Sequence, residues 1–117
     1  MEKRKQLRFR AHEGSYAVLK KDSVQVGQIV NISKGGLALC YIGNGEPIKG
    51  LLNIDIFFTN QQFYLKGMPF IIVSDFFIDK KIPFSTILMK RCCGQFGELT
   101  HGQIYQLDYF IENHTIG

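Results

Sequence analysis

The sequence predicts a small, mainly β domain, an all-β barrel or sandwich that ends in one amphipathic helix. Short apolar runs recur about every ten residues, and clusters of Gly, Asn, Asp and Pro separate them, as is typical of barrels and sandwiches. The chain has 117 residues, which suits one domain with a proper core. Ten Phe and five Tyr supply the bulky core material in the absence of Trp.

The predicted strands are apolar runs or runs of alternating apolar and polar residues. In chain order they cover 15–20, 24–32, 37–42, 51–58, 63–74 and 84–91, with 92–96 continuing the last strand or forming the next. The alternation shifts phase near Gly27, which predicts a bulge there. The run 63–74 is expected to form one long or broken strand. Together these elements place the barrel at residues 12–97.

A single helix is predicted over about 101–113. The four residues from Thr100 to Gln103 have the T-x-x-Q form of a capping box. Ile104, Leu107 and Ile111 follow at i, i+3 and i+7, with Phe110 beside them, so this apolar face is expected to pack on the barrel.

The charge of the chain is concentrated at its N-terminus. Five of the first ten residues are Lys or Arg, against the single acid Glu2, while the whole chain has a net charge of +4. These residues show no periodicity that would bury a face, so residues 1–10 are expected to form a flexible arm that binds a ligand. A basic end on a neutral body indicates a local anion site rather than a general nucleic-acid surface.

The cysteines and histidines indicate no metal site and no catalytic set. Cys40, Cys92 and Cys93 have no C-x-x-C spacing and no histidine at ligand spacing, which disfavours zinc. The odd number of cysteines favours a reducing compartment, with Cys40 and one of the adjacent pair expected to be buried. No nucleophile is paired with a general base, so we expect a protein that is not an enzyme and has no cofactor.

The sequence has no apolar segment that would target it to a membrane. The N-terminus lacks the apolar region of a signal peptide, and no run approaches the roughly 20 residues needed to cross a bilayer. We therefore expect a cytoplasmic protein without membrane insertion.

Two short motifs carry the functional signal. The first, Arg4-x-x-x-Arg8, places two guanidinium groups where they can grip phosphate and guanine. The second, Asn31-x-Ser33-x-x-Gly36, joins polar turn formers to a glycine between two strands. Alone, the first is most simply a solvated basic tail and the second a plain β-turn. The pair in this order is much rarer, and it favours a site for an anionic, guanine-containing ligand.

Both motifs resemble the signatures of the PilZ family of bacterial receptors for cyclic di-GMP (c-di-GMP). The segment 2–9 is similar to the family's opening, and 28–39 to its strand, D/N-x-S-x-x-G turn and following strand. Gly94 resembles a glycine on a late strand of the family. The likeness covers about residues 2–97, and the C-terminal helix is similar to one that many members carry.

The resemblance implies a six-stranded antiparallel β-barrel that binds c-di-GMP. Arg4 and Arg8 would clamp bases and phosphates, and Asn31 and Ser33 would hold a guanine against the barrel. The glycines of the site would be Gly35, Gly36 and Gly94. Asn31 stands where aspartate is more common, and one amide oxygen accepts guanine N–H groups less well than a carboxylate. Ordering of the arm would be the signal, read by a downstream protein partner that the chain does not identify.

Two other functions remain open at this stage. A basic arm on a β-barrel with many aromatic residues could bind single-stranded nucleic acid, although most of the aromatic residues lie in runs expected to form the core, which makes nucleic acid the weaker alternative. A PilZ-like adaptor without nucleotide binding is the other possibility. The run 76–78, which is expected to be buried, would form a partner patch if it were exposed.

Overall fold

The computed structural model describes residues 7–43, 48–59, 63–78 and 89–116, and these ranges contain eight strands and one helix. In chain order they are β1 (Phe9–Ala11), β2 (Ser15–Lys20), β3 (Val24–Ile32), β4 (Gly36–Ile42), β5 (Leu51–Phe58), β6 (Phe63–Phe77), β7 (Met89–Phe96), α1 (His101–Asn113) and β8 (Thr115–Ile116).

Six of the strands form a closed antiparallel barrel, which confirms the predicted fold class. Around the barrel the order is β2, β5, β6, β7, β4 and β3, and pairing of β3 with β2 closes the ring. The first half of β3 pairs with β2, while Asn31 and Ile32 at its end pair with β1. The short strand β8 then pairs with the other side of β1. Two extra strands therefore extend the barrel beside the end of β3.

The strand positions follow the predicted runs closely, with two differences. The bulge is not at Gly27, because the pairing of β3 with β2 is regular there. The register shift lies instead between Ile29 and Asn31. Glycine at position 27 is required by packing, because a Cβ there would lie 2.5 Å from Leu39 Cδ1. The run 63–74 is one continuous strand that reaches Phe77. Of the predicted strand 84–91, residues 84–88 lie outside the described residues, and 89–91 form the start of β7.

The predicted arm is shorter than expected. Phe9 and Arg10 belong to β1, where Phe9 lies opposite Ile32 and Arg10 opposite Asn31. Three residues are too few to show a periodicity in the sequence, so these contacts with β3 and β8 could not be recognised. Only residues before Phe9 remain candidates for a flexible arm.

The core fills the barrel and continues under the helix. In β2 the inward side chains of Ala17 and Leu19 are buried, as the strand period of two requires. Both hydrogen bonds of the capping box are present between Thr100 and Gln103. Further core residues come from each of the other barrel strands and from α1: Ile29, Leu39, Ile54, Leu65, Met68, Phe70, Cys92, Leu107 and Phe110.

Several side chains expected in the core lie at the surface. Leu107 and Phe110 are buried, but Ile104 on the same predicted face of α1 is 44% exposed. Phe76 and Phe77, predicted to be buried, are about half exposed, at 49% and 50%. Phe76 faces outward because it lies opposite Arg91 on the outer side of β7, as the alternation of buried and half-buried residues along β7 shows.

Of the cysteines, Cys92 is fully buried, as predicted for one member of the adjacent pair, and burial raises its thiol pKa to about 12. Cys40, also expected in the core, is instead only partly buried.

A buried ion pair ties the barrel strands together at one end. The Asp75 carboxylate on β6 accepts a hydrogen bond from Lys90 Nζ on β7 at 2.8 Å, and both side chains are 2% exposed. It also accepts from Tyr41 Oη at 2.7 Å and from the backbone N–H of Ile48 at 2.7 Å. Burial and the hydrogen bond from Tyr41 Oη to Asp75 raise the pKa of Tyr41 well above its usual range. Three donors thus satisfy a carboxylate that would be costly to bury alone.

The end of α1 is fixed by an aromatic cluster around His114. Its ring stacks on Phe58 at a centroid distance of 4.2 Å and contacts Phe63, Tyr109 and Phe110. His114 is 1% exposed, and its Nε2 has no hydrogen-bond partner among the described residues. Burial, with a smaller effect of the charge on His12, lowers the pKa of His114. The neutral imidazole is therefore the form that this cluster accommodates.

We expect stability to fall as the pH is lowered below about 6.5, the ordinary pKa of His114 in the unfolded chain. The folded pKa is depressed, so the unfolded state binds the proton more readily, and the stabilisation present above pH 6.5 is lost as the pH falls through the folded pKa. The loss contributed by this one proton cannot exceed about 1.4 kcal/mol per pH unit. Urea denaturation at pH 7 and pH 5 measures it.

His114→Phe should reduce this pH dependence, and His101→Gln is the matched control because His101 is exposed at the start of α1. Equal slopes in wild type and His114→Phe would contradict the assignment.

Candidate functional site

The two halves of the predicted site meet at the pairing of β1 with β3. Arg8 precedes β1, is partly buried, and donates from Nη1 to Asn31 Oδ1 at 2.8 Å. Asn31 lies opposite Arg10 in the register of the two strands. The pairing of these strands therefore brings together motif residues that are 23 positions apart in the chain.

The 31–36 turn is built by its own backbone and by the Ser33 hydroxyl. Ser33 N–H donates to Gly36 O at 2.8 Å, and Ser33 Oγ accepts from Gly35 N–H at 3.1 Å. Ser33 is only 4% exposed. The hydroxyl that was expected to face a ligand is thus engaged in shaping the turn, while Gly35 also accepts from Phe96 N–H at 2.9 Å and anchors the turn to β7.

Gly36 and Gly94 lie against each other where β4 pairs with β7. A Cβ on Gly36 would collide with the Gly94 carbonyl oxygen. A Cβ on Gly94 would lie 2.5 Å from Phe70 Cζ and 2.6 Å from Ile71 O. Both glycines are buried. Gly36 allows the backbones of β4 and β7 to approach closely, and Gly94 leaves room for Phe70 and the backbone of β6.

Residues of five strands form one row across the outer face of the barrel. Directly opposed residues in antiparallel strands point to the same face, and successive pairings connect Arg10, Asn31, Ala38, Cys93 and Ser74. This row, with Arg8 and the 31–36 turn, is the candidate site.

The sequence interpretation missed Arg10 as a member of this site. The spacing Arg8-x-Arg10 could have indicated it, since residues two apart in a strand share a face. Arg10 is exposed beside Asn31, so it adds a second described arginine to the outer face.

A further cation lies in the turn itself. Lys34 Nζ is 3.9 Å from Asp108 Oδ1 on α1, and the two side chains are 68% and 40% exposed. An ion pair this long and this exposed contributes little to stability. Lys34 can therefore turn toward an anion bound on the outer face, which Arg8 and Arg10 already make positive.

Three further predictions concern Arg4, a metal site and a membrane-spanning segment. Arg4 lies outside the described residues. Within the described ranges, no three His, Cys, Asp or Glu side chains cluster as a metal site would require. The helix of this part of the chain is too short and too polar to cross a membrane.

Comparison with solved structures identifies the fold. The PilZ domain of YcgR from Escherichia coli, solved with c-di-GMP, matches with a TM-score of 0.74 and 16% sequence identity over 97% of this chain and 92% of that one. MrkH of K. pneumonia, solved in complex with c-di-GMP, matches with a TM-score of 0.74 at 15% identity. A second structure of MrkH, described as a c-di-GMP-dependent transcription regulatory factor, has a TM-score of 0.72.

The extent of these matches shows that the chain has a PilZ fold. It spans about half the length of MrkH, 52% and 51% in the two structures, while both matches cover 97% of this chain. No protein-family model matches the sequence, and no curated protein matches it in sequence. The predicted resemblance to PilZ domains is thus confirmed for the fold.

We expect Gly36→Ala to destabilise the protein by about 1–3 kcal/mol, the usual cost of overpacking, because the new methyl group would collide with the backbone of Gly94. Gly102→Ala is the matched control. The nearest atom to its Cβ is 3.9 Å away, and alanine is the better helix former. Chemical denaturation compares the two variants. Equal stability of Gly36→Ala and wild type would show that β4 and β7 have room to separate.

Proposed function

We propose that this protein binds c-di-GMP on the outer face of its barrel and acts as a receptor for this second messenger, without catalysing a reaction. The observation that carries the proposal is the hydrogen bond from Arg8 to Asn31, which joins the two motifs into one site. It is supported by the PilZ fold, whose solved examples YcgR and MrkH contain c-di-GMP.

In this proposal, the arginines recognise the charged and planar parts of the ligand. A guanidinium has five donors, and the contact with Asn31 uses one of those on Arg8. The others can donate to phosphate or to the O6/N7 edge of guanine, and the planar group can stack on a base. Arg4 is proposed to act in the same way from the arm.

The 31–36 turn would hold one guanine. The Asn31 amide can accept from guanine N–H groups and donate to O6, although Arg8 already engages its oxygen in this structure. Ser33, Gly35, Gly36 and Gly94 are proposed to belong to the site as the residues that set its backbone shape. Because Ser33 is buried in the turn, its contribution is to the position of neighbouring backbone N–H groups.

The Arg8–Asn31 contact also prepares the site before a ligand arrives. An arginine free to move would lose rotamer freedom on binding, at a cost of about 0.5–1.5 kcal/mol. Here Arg8 is already held by Asn31 near the end of β3, so part of that cost is met during folding.

We expect Arg8→Ala to abolish or severely weaken c-di-GMP binding, because it removes both a cation of the site and the contact with Asn31. Isothermal titration calorimetry with c-di-GMP measures the effect. GTP, cyclic di-AMP and a short single-stranded oligonucleotide serve as competing ligands. Lys66→Ala is the matched control, since Lys66 is an exposed cation on β6 and not in the Arg10–Ser74 row.

The titration separates the proposed functions. Wild-type binding to c-di-GMP alone, lost in Arg8→Ala and kept in Lys66→Ala, is the expected result. Binding of the oligonucleotide instead, with a steep dependence on salt, would establish a nucleic-acid module. No binding of any of these ligands would leave a protein adaptor.

We further propose that binding orders the N-terminal arm, and that a downstream protein partner reads this change. Residues 9–11 already pair with β3 and β8, so the change concerns the residues before them. The cost in conformational entropy would be offset by charge-assisted hydrogen bonds to the phosphates.

Backbone ¹⁵N relaxation with and without c-di-GMP tests the change in the arm. We expect the order parameters of residues 3–7 to rise on binding, while those of α1 serve as an internal reference. An arm with the same mobility in both states would contradict this mechanism of output, even if c-di-GMP binds.

A further inference from the structure

A third described arginine lies on the same face of the barrel as Asn31. Arg91 on β7 is two residues from Cys93, and residues two apart in a strand share a face. Cys93 belongs to the row that contains Asn31. With strands about 4.8 Å apart and a rise of about 3.4 Å per residue, the Cα atoms of Asn31 and Arg91 are about 12 Å apart.

The surface between these two residues carries small side chains. Ala38 and Cys93 lie between Asn31 and Ser74 in one row, and Cys40 lies opposite Arg91 in the next. Ala38 belongs to the outer row but is 1% exposed, so neighbouring atoms cover it. The residues of β4 and β7 that lie between Asn31 and Arg91 on this face are thus Ala38, Cys40 and Cys93, which all have small side chains.

Arg91 is also available to a ligand. It is partly buried, and among the residues that the structure describes it has no hydrogen-bond or ion-pair partner. Phe76, directly opposite on β6, is 49% exposed. A guanidinium beside an exposed aromatic ring combines a phosphate donor with a surface on which a base can stack.

We propose that Arg91 is a further ligand-binding residue, which contacts the end of c-di-GMP farther from the 31–36 turn, with Phe76 beside it as a stacking surface. This inference rests on the proposed function. Cyclic di-GMP carries two guanines and two phosphates, so it offers an anionic group and a base edge at both ends. Arg8 and Arg91 would then bind the nucleotide from opposite sides of the Asn31–Ala38–Cys93 row.

The test is calorimetric titration of wild type, Arg91→Ala, Arg91→Lys and Lys66→Ala with c-di-GMP. We expect Arg91→Ala to weaken binding about tenfold, the usual effect of losing one hydrogen bond to a charged group. Arg91→Lys keeps the charge but not the planar fork, so its loss should be smaller. Lys66→Ala removes the same charge outside the Asn31–Arg91 surface and should bind as wild type does. Thermal melting of each variant checks that it is folded.

A second measurement on the wild-type protein reports the contact directly. The side-chain Nε–Hε resonance of Arg91, assigned by its absence in Arg91→Lys, should shift as c-di-GMP is added. This measurement remains informative if Arg91→Ala does not fold.

The outcomes separate this inference from the proposed function. If wild type does not bind c-di-GMP, both fail. If wild type binds and Arg8→Ala does not, but Arg91→Ala binds as wild type does, only the role of Arg91 is overturned. Weakened binding by Arg91→Ala without a shift of the Arg91 resonance would also overturn it, because the effect would then be indirect.

Discussion

The close approach of β4 and β7 at Gly36 and Gly94 is the constraint on which the rest of the site depends. A Cβ on Gly36 would collide with the backbone of Gly94, and the absence of a Cβ on Gly94 leaves room for the Phe70 ring of β6. Gly36 also ends the turn by accepting from Ser33 N–H. The position of the turn relative to β7 is thus set by backbone contact, and with it the register that aligns Asn31, Ala38 and Cys93.

Much of the fold could be predicted from the sequence because its strands follow simple patterns. The limits of β2 and β5 coincide with apolar or alternating runs, and the capping box marks the start of α1. Predictions failed where a local pattern does not determine which side of an element is covered. Ile104 has helical spacing but lies beyond the surface that α1 buries, and Phe76 belongs to an apolar run but faces outward on β6.

The site was predictable in part for a related reason. Arg8 and Asn31 belong to short motifs, so residue type and spacing were enough to pair them. Ser33 lies in the predicted turn, but the burial of its hydroxyl could not be foreseen from composition. The places of Arg10 and Arg91 depend on the pairing of strands that are distant in sequence. A short stretch of sequence does not show which residues of two distant strands lie opposite each other.

The strand β1 has a consequence that extends beyond the site. It is held on one side by the end of β3 and on the other by β8, which directly follows α1. The two ends of the described chain therefore share one hydrogen-bonded ladder. In the proposed function, any effect of a group attached after β8 on c-di-GMP affinity must be matched by an equal effect of c-di-GMP on that group. The end of β8 is then a sensitive place for a reporter and a poor place for an inert tag.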